Sequence, residues 1–215
     1  MNRKVNDIMK NILNYQTTEY DCGPTTITNA IRYLFDRKQI PPDILKAISL
    51  YTLDAYNERG ESGKNGTSQM AMRFLSNWLN QYGKTNKFPI FSRFIEGEQV
   101  YIGQNSAIIG CLQQNGVAVV RVLLGDEGHY VLINDITEDE IGLFDPYYVD
   151  KVPDSSEISV VEGQPRKMNR RIKADLMNHN NGVPYALGTV DMREAMLIYN
   201  TDTQKTQEKT IEYII

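Results

Sequence analysis

Cysteine and histidine are scarce in this chain. Its 215 residues hold two of each: Cys22, Cys111, His129 and His179. Two cysteines cannot build a disulfide framework. Two histidines far apart, with no Cys/Asp/Glu cluster beside them, leave no ligand set for zinc, so no metal or other cofactor is expected. Lysine and arginine form no block, and the net charge is −4 with a pI near 5.3, which argues against a phosphate-binding surface and a nucleic-acid partner. No run of residues is apolar and long enough to span a membrane. The first residues, MNRKVNDIMKNILNY, break their apolar positions with Asn, Asp and Lys, so they form no secretory hydrophobic segment. A reduced, cytoplasmic setting is therefore expected. Internal repeats and low-complexity tracts are missing too.

What remains is ordinary globular composition, 41% hydrophobic and 23% charged, in a length suited to a single domain over 1–215. The first half patterns as helices. Val5, Ile8, Met9, Ile12 and Leu13 suggest a short amphipathic helix over 5–13. Ile27, Ala30, Ile31, Leu34 and Phe35 line one face of a second helix that begins at Cys22, with Pro24 suited to its opening turn. Pro41-Pro42 opens a third, with Ile44, Leu45, Ile48 and Leu53 on its apolar side. Residues 57–66 (NERGESGKNG) are polar and glycine-rich, and they predict a mobile flap. Thr67 or Ser68 can cap the next helix, whose stripe is Met70, Phe74, Leu75, Trp78 and Leu79, with Gly83 as its stop. Residues 86–102 have no clean period. A helix over 104–114 turns Ala107, Ile108, Cys111 and Leu112 inward and closes at Gly116, which makes Cys111 a buried, inert thiol.

Beyond Gly116 the pattern changes. Residues 117–124, 129–136 and 140–147 are β-rich and joined by short turns, the spacing of an antiparallel meander. A polar excursion follows over 150–166, then a basic helix around 167–178, a turn at HNNGVP, and strands at 196–199 and 211–215. Helices first and antiparallel strands afterwards predict an α+β fold, with a helical lobe over about 1–114, a β lobe over about 115–215 and a cleft between them.

Nucleophilic cysteine chemistry needs a base for the thiol proton and a third group to orient that base. Cys22 stands at a helix start, where unpaired N–H groups and the positive end of the dipole favour a thiolate. His129 heads the apolar strand Gly128-His129-Tyr130-Val131-Leu132-Ile133, whereas His179 lies in the polar turn NHNNG. Asp145 ends the neighbouring strand in Leu143-Phe144-Asp145-Pro146, so a hairpin brings it to His129. The Asp-Pro pair is also a turn initiator in its own right.

The order and spacing of Gln16…Asp21-Cys22-Gly23, Gly128-His129-Tyr130-Val131-Leu132-Ile133 and Asp145-Pro146 resemble a papain-like cysteine peptidase. More narrowly, they are similar to the bacteriocin-processing family that cleaves double-glycine leader peptides as the N-terminal domain of export transporters. Gly66-Thr67-Ser68 before a helix and Gly116 before a strand fit the same pattern, and the resemblance spans about residues 13–150. It implies a papain-like fold with Cys22 as nucleophile, His129 as base, Asp145 as orienter and Gln16 as an oxyanion-hole donor beside the Cys22 N–H. Without a transporter following it, the chain is expected to act as a free-standing domain on a peptide or protein substrate. Hydrolysis of a peptide bond through an acyl-enzyme thioester is the expected activity. Acyl transfer by the same triad, or peptide binding without catalysis, are the alternatives. Asp145→Asn, which keeps an acceptor for the imidazole, is expected to harm the rate less than Asp145→Ala.

Overall fold

In the computed structural model, residues 11–125, 127–148 and 156–206 are described. Helix α1, Cys22–Leu34, buries Ile27, Ala30 and Ile31, with Phe35 closing the stripe just past its end. Helix α2, Pro42–Tyr51, begins at the second proline, where a missing N–H has no helical partner to lose. It ends before Leu53, whose backbone is left-handed at φ 57°. Helix α3, Gln69–Asn86, is capped by the Ser68 side chain, which accepts from the Ala71 N–H at 3.2 Å. Its buried face is Ala71, Met72, Leu75, Ser76, Leu79 and Gly83, rotated from the expected stripe, so that Met70 and Phe74 are exposed. Gly83 does not stop this helix. A Cβ there would stand 2.9 Å from the carbonyl oxygens of Phe88 and Ile90, so glycine admits the returning chain, and Lys87 makes the left-handed stop at φ 52°.

The aperiodic stretch after α3 holds strand β1, Ile90–Glu96, and a 3-10 turn. Helix α4, Ala107–Gln113, follows, then β2, Val117–Leu124, β3, Glu127–Ile136, and β4, Glu140–Phe144. Next come β5, Ile158–Val160, β6, Arg170–Lys173, the one-turn helix α5, Ala174–Met177, and β7, Glu194–Asn200. The expected helix over 167–178 is split: Arg170–Lys173 form a strand with Arg170 and Ile172 buried in alternation, and the next four residues form the single helical turn. The expected helix at 5–13 and strand at 211–215 fall largely or wholly outside the described residues.

Among the described residues, all seven strands form one antiparallel sheet in the order β1-β7-β2-β3-β4-β6-β5. The meander β2-β3-β4 is its centre, and β1, from ahead of residue 115, is one edge. Alternate residues of the central strands enter two separate cores. Val117, Val119, Tyr130, Leu132, Met196 and Ile198 pack with α1, α2 and α3. Ala118, Val120, Val131, Ile133, Ala195 and Leu197 pack with α4 and the 172–187 segment on the other face. Covering both faces is why Val117–Leu124 is apolar almost throughout instead of alternating. The expectation of mixed helix and antiparallel sheet is met. No helix among the described residues is long and apolar enough to cross a membrane.

Segment 57–66 is tied by its own hydrogen bonds. Asn57 Oδ1 accepts from the N–H groups of Arg59 and Glu61, its Nδ2 donates to Glu61, and Tyr56 bridges to Ser62. Gly60, Gly63 and Gly66 sit at φ 75°, 75° and 74°, left-handed turn positions that glycine enters without strain.

Candidate active site

Cys22 is the first residue of α1, and α1 lies across β3, where Thr26 Oγ1 donates to the Tyr130 carbonyl at 2.9 Å. That bond fixes the helix start beside His129. Gly23 is required next to the cysteine by a close approach. A Cβ there would stand 2.5 Å from Thr67 Oγ1 and 2.8 Å from Thr67 Cβ, so the Cys-Gly pair and the Gly-Thr-Ser before α3 are two halves of one contact.

Asp21, the other member of the Asp-Cys-Gly run, does not cap the helix with its side chain. Its carboxylate reaches back and accepts from the backbone N–H and the hydroxyl of both Thr17 and Thr18, at 2.8–3.1 Å. Partial burial pushes its pKa up, but those bonds outweigh it and the net direction is down. Asp21 therefore folds the loop that carries Gln16. The same loop is strapped to α1 by Asn29, which exchanges two 2.8 Å bonds with the Asn14 backbone, and to the end of β4 by the Gln16 N–H donating to the Pro146 carbonyl at 2.9 Å. Gln16 Nε2 donates to the Thr18 carbonyl, while its Oε1 is buried with no partner.

The β3–β4 register sets Leu132 opposite Phe144, so His129 and Asp145 meet beyond the paired ends. His129 Nε2 lies 2.7 Å from Asp145 Oδ1, and both residues are buried. With Nε2 taken by Asp145, the Cys22 side chain is the other group that acts on the ring. Burial by itself would lower the His129 pKa; the bonds to Asp145 and Cys22 outweigh it and raise it to about 9. Burial would raise Asp145, but His129, the Tyr185 hydroxyl and the Tyr147 N–H hold it below its usual value. The structure thus brings Cys22, His129 and Asp145 together and sets the Gln16 loop against Pro146.

Three supporting residues carry no signal in the sequence pattern. Asn169 clamps the Asp145 backbone from both sides, accepting from its N–H and donating to its carbonyl, each at 2.8 Å. Tyr185 donates to Asp145 Oδ2 at 2.7 Å. Arg170 donates to the Asn169 carbonyl at 2.8 Å, and its charge lies close enough to act on the Tyr185 phenol.

His179 is exposed and joins the fold only through its backbone. Cys111 is buried, donates weakly to the Val117 carbonyl at 3.4 Å, and is pushed up to about 12 by burial. No disulfide joins the two cysteines. Among the described residues, no group of three or more His, Cys, Asp or Glu side chains could hold a metal ion.

The His129–Asp145 pair has a consequence for stability. A histidine raised in the folded state contributes stability that is fully present below its unfolded value, about 6.5, and is lost as pH rises through about 9. The midpoint of thermal unfolding is expected to fall across that window in the wild type, and His129→Gln is expected to flatten the slope. An equal alkaline slope in both proteins would show that His129 is not the group responsible.

No protein-family model matches the chain, and no curated protein matches it. Among solved structures, the chain is similar to the peptidase domain of Streptococcus ComA, described as a bi-functional ABC transporter involved in a quorum-sensing pathway. The identity is 13%, the match covers 87% of this chain and 97% of that one, and the TM-score is 0.43.

Proposed function

We propose that this protein is a papain-like cysteine peptidase that cleaves peptide bonds through a thioester on Cys22. The observation that carries this reading is the buried line of contacts from Cys22 through His129 to Asp145. The motif resemblance to leader peptidases supports a peptide as the acyl donor. His129, protonated at neutral pH, faces the sulfur as the partner of a thiolate. The thiolate attacks the scissile carbonyl carbon, and the oxyanion that forms takes hydrogen bonds from the Cys22 N–H, an unpaired donor of the first helical turn, and from the Gln16 side-chain amide. His129 then gives its proton to the departing amine, leaving the thioester. The neutral imidazole takes a proton from water, which attacks the thioester and releases the acid and the thiolate. Asp145 holds the ring throughout.

The cavity this reading assigns to the substrate chain is the one of about 390 Å³ whose walls include Thr67, Ser68, Gln69, Arg121, Tyr130 and Glu194. Supporting this choice, one wall residue, Thr67, lies against Gly23 and another, Tyr130, follows His129 in the chain. Its floor is polar: the Tyr130 hydroxyl donates to the buried Glu194 carboxylate.

Two measurements test the proposal together. Peptide-library profiling is expected to yield cleavage products with the wild type and none with Cys22→Ala. A limiting dose of iodoacetamide near pH 6 is expected to label Cys22 well ahead of Cys111, with the preference erased by denaturation. Equal native labelling of the two cysteines, or cleavage that survives Cys22→Ala, would remove the nucleophile from this reading. Turnover that requires an added amine acceptor would assign acyl transfer instead of hydrolysis.

A further inference from the structure

Both carboxylate oxygens of Asp145 are engaged in the buried corner behind His129. Oδ1 accepts from His129 at 2.7 Å and from the Tyr147 N–H at 2.8 Å, while Oδ2 accepts from the Tyr185 hydroxyl at 2.7 Å. Tyr185 is 4% exposed, Arg170 behind it is 4% exposed, and the carboxylate between them and His129 is 1% exposed. An ionised carboxylate can only accept, so the single proton of the Tyr185 hydroxyl points at Asp145. The polarity of the line from Tyr185 to Asp145 to His129 is therefore fixed, each bond polarising the next, with the Arg170 charge close to the phenol.

The backbone at Tyr185 is independent support. The residue sits at φ 68°, a region that a bulky side chain rarely enters and keeps only where its surroundings dictate it. What dictates it is a pair of bonds to the end of β2, from the Tyr185 N–H to the Leu123 carbonyl and from the Leu123 N–H to the Ala186 carbonyl, each at 2.8 Å. The segment is pinned in an unfavourable conformation that delivers one phenol oxygen behind the carboxylate. Packing alone would be served by a phenylalanine.

We propose that Tyr185, with Arg170 beside it, is a positioning residue that fixes the Asp145 carboxylate against His129 and thereby sets the pH range in which Cys22 is reactive. This rests on the reading of Cys22, His129 and Asp145 as a triad. The charged and titratable groups around Asp145 are His129 from β3, Tyr185 from the segment before β7, Arg170 from β6 acting through Tyr185, and Cys22 from α1 acting through His129; the Tyr147 N–H adds the remaining bond. Burial favours the protonated acid and these partners oppose it. With the Tyr185 hydroxyl removed, Asp145 takes up its proton at a higher pH. His129 then loses its charged partner there, and the thiolate loses the imidazolium.

The test is the pH profile of Cys22 alkylation by iodoacetamide in the full chain, a readout that needs no substrate. Tyr185→Phe keeps the ring. It is expected to slow alkylation near pH 6 about tenfold, the scale of one hydrogen bond to a charged group, and to move the acid limb of the profile to higher pH. In an Asp145→Asn background the same change is expected to add little. Arg170→Gln, which keeps a donor and drops the charge, is expected to move the limb in the same direction. An unshifted acid limb in Tyr185→Phe, or a loss that stays fully additive with Asp145→Asn, would reduce Tyr185 to packing. Should Tyr185→Phe fail to fold, an unshifted limb in Arg170→Gln overturns the proposal. Failure of the triad itself looks different: wild-type Cys22 would then alkylate no faster than Cys111 and would be indifferent to His129→Ala.

Discussion

His129→Ala is expected to slow acylation of Cys22 by about 10²- to 10⁴-fold, the range a positioned acid–base group supplies, while His179→Ala stays close to wild type. The contrast follows from placement. His129 is buried between a carboxylate and the sulfur; His179 is exposed and contributes only backbone bonds, from its N–H to the Leu176 carbonyl and from the Gly188 N–H to its own carbonyl. Alanine at 129 also strands Asp145 as an unpaired buried charge, a loss of about 3–5 kcal/mol, so part of the effect could be unfolding. His129→Gln separates the two. Its amide can still donate to Asp145 and support the fold, but it cannot carry a proton to the leaving group. Burst release from an activated ester, measured beside thermal melts, reports both. A burst retained in His129→Gln and lost in His179→Ala would reverse the site assignment.

Much of this corner is legible in the sequence because its chemistry sits where local patterns end. Cys22 is the first residue of a helix whose apolar face is plain from Ile27, Ala30 and Ile31, and His129 and Asp145 lie at the ends of neighbouring strands in a meander with short turns. Adjacency in a hairpin follows from sequence order, so the His–Asp contact could be anticipated. Residues 167–178 misled for a physical reason. Met168, Ile172 and Leu176 are all buried and recur at a spacing of four, which copies a helical face. The chain produces that spacing with a strand followed by a single turn. Gly83 looked like a stop because a glycine late in a helical stripe often is one. Its actual cause, the carbonyls of Phe88 and Ile90, belongs to chain that returns after the helix.

The supporting groups were hidden for a different reason. Asn169, Arg170 and Tyr185 reach Asp145 from stretches that are polar or irregular, and no periodicity points at them. Asp21 was visible as a motif member, yet its work is done through Thr17 and Thr18, a fold of the loop that no spacing rule describes. Helix and strand patterns disclose which side chains face a core. They do not disclose which buried polar atoms satisfy each other, and the surroundings of Asp145 are made of such atoms.

Asp145→Ala and Asp145→Asn are both expected to lower Cys22 reactivity by about 10²-fold or more, and the surroundings of the carboxylate explain why asparagine is no milder. Alanine leaves three donors without an acceptor: the His129 ring, the Tyr185 hydroxyl and the Tyr147 N–H. Each buried donor left unpaired costs about 1–3 kcal/mol. Asparagine keeps one oxygen, which can serve His129 and Tyr147 in place of Oδ1. Its NH₂ then stands where Oδ2 accepted from Tyr185, so that buried hydroxyl loses the acceptor of its proton. Donor faces donor. The amide is also uncharged, so the attraction that lifts His129 to about 9 is gone and burial acts against its protonated form. His129 in Asp145→Asn is therefore expected to titrate well below its wild-type value, and the imidazolium that pairs with the thiolate is depleted at neutral pH. Imidazole NMR titration of His129 and the Cys22 alkylation rate, taken on the same folded variant, measure the two halves of this expectation. Near-normal reactivity in Asp145→Asn, with His129 still titrating at about 9, would leave Asp145 as a turn residue and nothing more.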